Sequence, residues 1–458
     1  MKEGSLEAPT RHPLDWENSD FLNKELIDKE MTRQFDVCHG CRRCFNLCGS
    51  FPKLFDLVDN SATGELDSVS TDEYGAVVDD CTLCDMCFLT KCPYVPPHEF
   101  NIDFPHLMLR YKAYQFSEKE VPFTKKQIAE VDRNAAVLGA VAPIVNVMND
   151  VGSIARPLLQ KIASIDAKAS IPTFSGKTLI RQIKDAPLQI NPLGKANGEK
   201  AVLYATCYGN YNETQIGLLA AKILAHFGVQ VDVQYPGCCG MPQLELGNIQ
   251  RVADGGVRIA DFFAPFINDG YTIVSLIPSC SLMMKSEWPL MHPYHQAIQQ
   301  LKMHTKDISE YIVSLINRFG LTGSLSSLGS DVTLHLACHA RAQNVGAKAA
   351  ELLRLIPDTK VSVVERCSGH GGTWGMMVDH FELALTVGKP VIRQVLSNNH
   401  TLFASECPLA AEHIRQGIER QQKMNARSTE QSTEAVTAPI IFQKMHPIEI
   451  FARALGIK

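Results

Sequence analysis

Apolar stretches of strand length recur in the later part of the chain, and two of them stop on a cysteine. "AVLYATC" ends at Cys207, and "VTLHLAC" ends at Cys338. Each is followed by apolar residues at helical spacing, in "TQIGLLAAKILAHFG" and in "GAKAAELLRLIP". A short apolar run before an amphipathic helix predicts a strand–helix unit. The repetition predicts two related α/β halves, residues 199–305 and 306–458.

Two more strands are predicted in each half. The second strands are "VQVDVQYPGCCG" and "KVSVVERCSGHGG", and the third are "YTIVSLIPSC", ending at Cys280, and "HTLFASEC", ending at Cys407. Strands that alternate with helices predict parallel sheets, which bind ligands at the carboxyl ends of their strands. The cysteines at these ends are therefore candidate ligands. A polar tether, "NARSTEQSTEAVTA", and a terminal helix, "MHPIEIFARALG", are expected to follow.

Residues 121–198 contain no cysteine and predict a helical linker with several prolines. Its most apolar run, "AAVLGAVAPIVNVM", is shorter than a membrane span and contains Pro143. Two interpretations stay open. One is an ordinary helix packed on the protein, and the other is an interfacial helix whose neighbours Lys125, Lys126 and Arg133 face anionic lipid.

Composition and charge restrict the class of protein. A chain of 458 residues, 45% of them hydrophobic, predicts about three domains. The net charge of −5 argues against nucleic acid as a partner. Acidic residues predominate in 1–120 and basic residues in 121–200, which indicates two different contact surfaces or ordinary solvated faces. The polar N-terminus lacks the apolar core of a signal peptide, so we expect a cytoplasmic location, where fifteen cysteines are ligands rather than disulfides.

Residues 1–120 hold eight cysteines in two runs. The run from Cys38 to Cys48 has the spacing C-x2-C-x2-C-x3-C, and the run from Cys81 to Cys92 has C-x2-C-x2-C-x4-C. This spacing is typical of ferredoxins with two [4Fe-4S] clusters, in which the fourth cysteine of each run binds the other cluster. We therefore predict two crossed ligand groups in an α-helical, ferredoxin-like domain. Set 1 is Cys38, Cys41, Cys44 and Cys92, and set 2 is Cys81, Cys84, Cys87 and Cys48.

Two details depart from the ferredoxin pattern. The first run ends in Cys48-Gly49 rather than Cys-Pro, and the second has one extra residue before Cys92. Both changes alter hydrogen bonding around the clusters and leave the number of ligands unchanged. The alternative metal is zinc, which favours two C-x2-C pairs on separate loops rather than triplets.

Four cysteines of the first half predict a third iron–sulfur cluster. Adjacent thiolates bind two irons of one cluster, and Gly240 gives the backbone close access to its sulfide. The alternative is a redox-active vicinal dithiol or simply buried cysteines. This group, set 3, is Cys207, Cys238, Cys239 and Cys280.

The second half has three cysteines, Cys338, Cys367 and Cys407, which form set 4. Pairing Cys367 with Cys239 leaves Arg366 opposite Cys238. His339 and His370 are candidates for a fourth ligand, or they are loop or core residues that bond backbone carbonyls. The loop "GHGGTWG" from Gly369 is a second candidate backbone contact, and its composition also suits a phosphate. Whether this half holds a fourth cluster stays open.

These motifs resemble a known family. The quoted loops "CYGNYN", "CCGMP", "SCSLMMKSEWPL" and "CSGHGGTWG" follow two ferredoxin-type runs. The arrangement resembles the C subunit of anaerobic glycerol-3-phosphate dehydrogenase, and the C and B subunits of heterodisulfide reductase fused into one chain. The iron–sulfur subunits of glycolate and lactate oxidases are similar. In that family each half carries a lone cysteine, a Cys-Cys-Gly and a C-x-x-C, whereas Ile277 and Ala410 stand here where two of those cysteines are expected.

The resemblance implies an electron-transfer subunit of an oxidoreductase complex. Electrons would come from a flavoprotein dehydrogenase or another soluble redox protein, with a rubrerythrin-like diiron protein as a second type of partner. They would leave towards quinone at the inner face of the membrane, with the chain bound peripherally.

Two other functions remain as alternatives. A catalytic heterodisulfide or thiol reductase acting at a cluster of the CCG type is the first. Since neither half has the five cysteines of the disulfide-cleaving relatives, the relay is favoured over it. The second is a zinc-bound scaffold that carries no electrons.

Overall fold

The computed structural model describes residues 4–429 and 442–458, which form helices and two parallel sheets. This mixture agrees with the predicted α+β class. The expectation of an N-terminal ferredoxin-like fold and of a pseudo-twofold relation between the halves stays a prediction. Most of the predicted polar tether lies outside the described residues.

The N-terminal part of the chain is helical, with short 3-10 turns at Ser19–Leu22, Leu66–Ser68 and Thr71–Glu73. The side chain of Asn23 caps the first helix by accepting the Leu26 N–H, and Arg42 ends it in the left-handed conformation, with φ 52°. The helices are α1 Lys24–Cys41, α2 Ser50–Asp59, α3 Tyr74–Asp79, α4 Met86–Thr90 and α5 Phe104–Ser117.

The segment between the two cysteine runs differs from the polar connection that its composition suggests. It includes α3, whose residues Tyr74, Val77 and Val78 are buried in the main core. These three apolar side chains dock the segment, while most of its acidic residues lie at the surface and the buried Asp80 pairs with Lys53. The excursion is therefore part of the folded body.

The linker consists of five short helices, as its sequence pattern predicts. Pro122 caps the first, and Pro143 and Pro157 lie in the first turns of the third and fourth. Because proline suits a helix start and disrupts a helix interior, the apolar run divides near Val141. The helices are α6 Phe123–Ile128, α7 Val131–Ala140, α8 Ala142–Asn149, α9 Arg156–Ala163 and α10 Leu179–Asp185.

The first predicted half contains a parallel sheet of order β2-β1-β3-β4. Its strands are β1 Lys200–Tyr204, β2 Gln230–Gln234, β3 Thr272–Ser275 and β4 Thr305–Asp307. Its helices are α11 Cys207–Tyr211, α12 Thr214–His226, α13 Met241–Glu245, α14 Ile249–Asn268, α15 Pro278–Leu282, α16 Trp288–Met291, α17 Gln296–His304 and α18 Ile308–Phe319, with a π-helical turn at Met283–Glu287.

The second predicted half contains a parallel sheet with the equivalent order, β6-β5-β7-β8. Its strands are β5 Val332–His335, β6 Val361–Val364, β7 Leu402–Ser405 and β8 Gln443–Met445. Its helices are α19 Cys338–Ala342, α20 Lys348–Leu353, α21 Phe381–Asn398, α22 Pro408–Thr429 and α23 Pro447–Ala454, with a 3-10 turn at Trp374–Met376. The terminal helix is thus found where it was predicted.

Parallel pairing brings the cysteine loops to one edge of each sheet. In the first sheet, Tyr204 is in register with Gln234 and with Ser275, which are the last residues of their strands. In the second sheet, His335 is in register with Val364 and with Ser405 in the same way. The loops that follow these ends carry sets 3 and 4, so the structure confirms the predicted strand-end location of the cysteines.

A buried group of charges joins the N-terminal segment to the first half. The Arg11 guanidinium donates hydrogen bonds to Asp85, in the second cysteine run, and to Asp103 at the start of α5. It also lies 3.6 Å from Glu287, whose carboxylate is 3.2 Å from Nε2 of His106. This charge group links the second cysteine run to the π-helical turn of the first half.

We predict that Arg11→Met lowers the free energy of unfolding by about 3–5 kcal/mol, because buried carboxylates then lose their cation. Urea unfolding of anaerobic protein, followed by circular dichroism, measures the change. Arg318→Met is the matched control, since its pair with Glu199 is exposed and contributes about 0–1 kcal/mol. Equal effects of the two substitutions would contradict the role given to Arg11.

Candidate iron–sulfur sites

The four thiols of set 3 share one buried volume. Cys207 begins α11, and the side chain of Thr206 caps this helix by accepting the Gly209 N–H. Sγ of Cys207 lies 4.0 Å from Sγ of Cys238. Hydrogen bonds with Cys238 and Cys280, together with burial, raise the pKa of Cys239. Such thiols ionise together only beside a cation, which iron supplies. The residues present therefore fit an iron–sulfur cluster.

The loop of Cys238 is held by a linker residue that the sequence pattern did not indicate. The Asp132 carboxylate, on α7, accepts the Cys238 N–H at 2.9 Å and also the Tyr235 hydroxyl. Burial raises the pKa of Asp132, and the nearby Cys238 adds to that effect. Because the two partners are 106 positions apart in the sequence, no local signal could have shown this contact.

The structure brings Cys92 to the first run. Burial raises the pKa of Cys38, and the charges of Cys92, Cys44 and Cys41 raise it further. Burial raises the pKa of Cys44 to about 12 and that of Cys92 to about 11. The four thiols of set 1 are therefore neighbours, as the crossed arrangement requires.

The structure also brings Cys48 to the second run. Burial and Cys81 raise the pKa of Cys48 to about 12. Burial raises the pKa of Cys87, and its thiol neighbours include Cys84 and Cys48, and also Cys44 of set 1. Sets 1 and 2 therefore adjoin, and that these cysteines bind iron stays a prediction.

The loops that carry sets 1 and 2 are not continuous helices. Arg42, Leu83 and Asp85 have φ values of 52°, 50° and 62°, which turn the chain within the two runs. Left-handed residues other than glycine are uncommon and mark loops whose shape is fixed by their surroundings. Cys84 lies between Leu83 and Asp85, so its direction depends on these turns.

Zinc would require thiols that converge on one point. Within residues 4–429 and 442–458, no three His, Cys, Asp or Glu side chains converge as ligands of a single metal ion do. The thiolates of a cubane each bind a different iron, so they surround the cluster rather than meet.

Set 4 occupies the equivalent loops of the second sheet. Burial and the charges of Cys367 and Cys407 raise the pKa of Cys338, which begins α19. Burial raises the pKa of Cys407 to about 11. Burial raises the pKa of Cys338 and of Cys367, and the positive charge of Arg341 acts to lower both pKa values.

The predicted pairing of Cys367 with Cys239 is wrong by one residue. The Gly240 N–H donates to Sγ of Cys238 at 3.5 Å, and the Gly369 N–H donates to Sγ of Cys367 at 3.3 Å. Both glycines have positive φ, 86° and 78°. Cys367 therefore corresponds to Cys238, and Ser368, rather than Arg366, replaces a cysteine.

The two candidate histidines line the same cavity as set 4. Nδ1 of His339 lies 2.8 Å from Oγ of Ser279, a residue of the first half. Burial lowers the pKa of His370 to about 3, so this imidazole is neutral. Neutral imidazole is the form that binds metals, and both histidines stay candidates.

The glycine-rich loop after Cys367 packs closely against other parts of the chain. A Cβ on Gly369 would lie 1.9 Å from the Ala384 carbonyl oxygen, so this glycine permits close packing of α21. Thr82 and Glu245 occupy the space in front of Gly371 and Gly372. The interpretation of this loop as a phosphate site stays a prediction.

A single cavity of about 1860 Å³ connects thiols of sets 2, 3 and 4. Its other wall consists of linker side chains, including Phe123, Ile128, Val131, Leu138 and Ile162. The volume exceeds the roughly 300–1,000 Å³ of ordinary ligand pockets. Glu245 lines it too, and burial raises the pKa of this carboxyl to about 8.

Set 4 lies between sets 2 and 3. Burial raises the pKa of Cys84, and the largest contributions from other charges come from Cys338 and Cys367. On the other side, Cys280 of set 3 contributes to the raised pKa of Cys407. The thiol groups therefore adjoin in the order set 1, set 2, set 4, set 3.

The outer face of the linker is unusually apolar. Within residues 131–163, six large apolar side chains are at least 60% exposed: Val137, Ile144, Val147, Ile154, Leu158 and Ile162, the last of which also lines the cavity. Arg133, Lys161 and Lys168 are exposed nearby. Every helix in the described part of the chain is too short or too polar to cross a bilayer.

Comparisons with known proteins agree with this site. Residues 201–285 match the cysteine-rich domain family CCG. The C subunit of anaerobic glycerol-3-phosphate dehydrogenase from Escherichia coli (strain K12) is 23% identical over 290 residues, which cover 61% of this chain and 69% of the relative.

Two archaeal proteins are also similar. The D subunit of dihydromethanophenazine:CoB--CoM heterodisulfide reductase from Methanosarcina acetivorans is 22% identical over 376 residues, covering 74% of this chain and 89% of the relative. The B subunit of fumarate reductase (CoM/CoB) from Methanothermobacter marburgensis is 24% identical over 238 residues, covering 51% and 45%. The predicted resemblance is therefore confirmed: the chain carries a CCG cysteine-rich domain and is related to these subunits of dehydrogenases and reductases.

Proposed function

We propose that the protein is an iron–sulfur electron-transfer subunit of an oxidoreductase complex. The observation that carries this proposal is that all fifteen cysteines fall into four groups, and that these groups adjoin in a row. Iron–sulfur clusters supply one-electron carriers when bound, and the protein fixes their separation, potential and access. The proposed route follows the order set 1, set 2, set 4, set 3.

The residues of the chain prepare each site for its cluster. The N–H groups of Gly240 and Gly369 donate to cysteine sulfur, which stabilises thiolates. The positive charge of Arg341 also stabilises thiolates in set 4. The Asp132 carboxylate holds the loop of Cys238 by accepting its backbone N–H. Four backbone and side-chain groups thus tune or orient the ligands of sets 3 and 4.

The electron donor is proposed to bind near set 1. Acidic side chains are exposed between the two cysteine runs, at Asp56, Asp59, Glu65, Asp67, Asp72 and Glu73. Such a surface attracts a partner with a basic face. A flavoprotein dehydrogenase is the favoured partner because one relative is, by its name, part of a dehydrogenase complex, with a rubrerythrin-like diiron protein as the second type.

The acceptor is proposed to be quinone at the inner face of the cytoplasmic membrane. The exposed apolar residues of the linker, with Arg133, Lys161 and Lys168, suit an anionic bilayer surface. The inner residues of the same helices line the cavity that reaches sets 3 and 4. Peripheral binding therefore places an apolar acceptor within reach of the thiols.

A second candidate function is a catalytic thiol or heterodisulfide reductase. Set 4 has one thiol fewer than a cubane requires, and one relative is named as part of a heterodisulfide reductase. A pure relay needs no vacant ligand position. A substrate thiol should alter a cluster spectrum only in the catalytic case.

Iron analysis tests the proposal against a zinc scaffold. Anaerobically purified protein should contain iron and acid-labile sulfide equivalent to about two to four [4Fe-4S] clusters, and show their EPR signals on reduction. Chelation of the iron should abolish the visible absorption. Colourless protein with stoichiometric zinc would contradict the proposal.

We predict that Cys48→Ser and Cys92→Ser each damage the cluster of the other run. Cys48→Ser should change the set 2 signal, while Cys92→Ser should change the set 1 signal. EPR of the reduced variants, with Cys41→Ser and Cys81→Ser as references for each cluster, makes the comparison. If Cys48→Ser gave the same spectrum as Cys41→Ser, the crossed assignment would be wrong.

Replacing the exposed apolar residues should weaken membrane binding. The triple variant Ile144→Ser, Val147→Ser, Ile154→Ser should bind anionic phospholipid vesicles at least about tenfold more weakly, because each buried aliphatic side chain contributes about 1.5–3 kcal/mol. Co-sedimentation measures binding. The control Leu193→Ser, Met303→Ser removes side chains that are 87% and 79% exposed and lie outside residues 131–163. Equal binding by both variants would refute the docking surface.

A further inference from the structure

Glu245 lies at the wall of the large cavity, where an element of the first half meets a loop of the second. It ends α13, the helix that follows the loop of set 3, and its side chain lines the cavity. A Cβ on Gly372, in the glycine-rich loop of the second half, would lie 2.3 Å from its Oε2, and the Thr373 N–H donates to the carboxyl. The carboxyl is therefore fixed in place by that loop while it borders open space.

The surroundings of Glu245 favour its neutral form. Burial raises the pKa of this carboxyl to about 8, against the opposing effects of Lys112 on α5 and of the Thr373 N–H. Burial also lowers the pKa of Lys112, so its ammonium form is itself disfavoured, and on the neighbouring helix α14 Arg251 pairs with Glu130 instead. At pH 7 the carboxyl is therefore protonated and donates a hydrogen bond, whereas above about pH 8 it is a carboxylate that can only accept one.

The cavity connects this carboxyl with the apolar outer face of the linker. Ile128 and Leu138 line the cavity, and Ile162 both lines it and is 64% exposed. Apolar side chains thus continue from the outer face into the cavity, an arrangement that suits a ligand soluble in lipid. The carbonyl oxygens of a quinone ring accept hydrogen bonds and donate none, so a quinone headgroup requires a well-placed donor from the protein.

We propose that the Glu245 carboxyl binds a quinone in the cavity by donating a hydrogen bond to a ring carbonyl oxygen. This inference rests on the proposed quinone acceptor and names the residue that orients its ring. Loss of the carboxyl proton removes the donor and leaves a buried carboxylate facing a carbonyl oxygen, so quinone binding weakens as the pH rises through about 8. Arg341 also lines the cavity, but its guanidinium keeps its protons over this range and cannot produce such a change.

Equilibrium dialysis of the oxidised, cluster-loaded whole chain tests the inference, with decylubiquinone as the probe. Since the oxidised protein has no electrons to give to the quinone, the experiment measures binding alone. The dissociation constant should rise about tenfold between pH 7 and pH 9.5, because the hydrogen bond to the carbonyl oxygen is lost. Decylbenzene, which has the same alkyl chain and no carbonyl oxygen, should bind equally at both pH values.

The variant Glu245→Gln separates the hydrogen bond from the titration. Its amide N–H still donates but does not titrate, so it should bind decylubiquinone within about threefold of the unaltered protein at pH 7 and equally well at pH 9.5. Glu245→Ala removes the donor and should weaken binding about tenfold at pH 7. The matched control is Glu365→Gln, since Glu365 also lines the cavity but has a side chain that is 57% exposed. This control should keep the pH dependence of the unaltered protein.

Persistence of the pH dependence in Glu245→Gln, or pH-independent binding by the unaltered protein, would overturn the role given to Glu245. Absence of decylubiquinone binding at every pH would overturn the quinone acceptor as well. Iron content and EPR signals are measured on the same preparation. A chain without clusters, which contradicts the proposed electron-transfer function, is thereby distinguished from a loaded chain that binds no quinone.

Discussion

Closely spaced buried thiols cannot all ionise unless a cation neutralises them, and this constraint governs the protein. Burial raises the pKa of most of its cysteines, and neighbouring thiolates raise many of them further. Deprotonation is therefore coupled to metal binding. Without iron, the loops that carry the cysteines would surround neutral thiols and a large cavity.

The fold brings the cysteines together by ending several short parallel strands at the same edge of a sheet. The loops that follow these strands therefore start side by side. Strands of three to five residues suffice, because parallel register ends β1, β2 and β3 at one edge. The same alignment ends β5, β6 and β7 together. Arg11 and its carboxylate partners then link the second cysteine run to the π-helical turn of the first half.

The sequence was informative wherever a signal was local. Cysteine spacing indicated the two runs, and apolar runs ending on Cys207 and Cys338 located the strands and the ligand edge. Proline positions marked the linker helices. These features depend on neighbouring residues, which is why they could be predicted.

Features that depend on distant contacts were missed. The three-residue strands β4 and β8 carry too few residues for an alternating pattern. Asp132 meets Cys238 only in the fold, and the position of set 4 between sets 2 and 3 depends on how the sheets pack. The equivalence of Ser368 with Cys239 was missed for a different reason, because aligning Gly369 with Gly240 already gives it from the sequence.

The short helix α7 has a consequence for communication between surface and interior. Its Asp132 carboxylate holds the backbone of Cys238, while Val137, less than two turns later, points into solvent. Both side chains belong to the one helix Val131–Ala140. The exposed surface of the linker and the support of the Cys238 loop therefore cannot be separated while α7 stays helical.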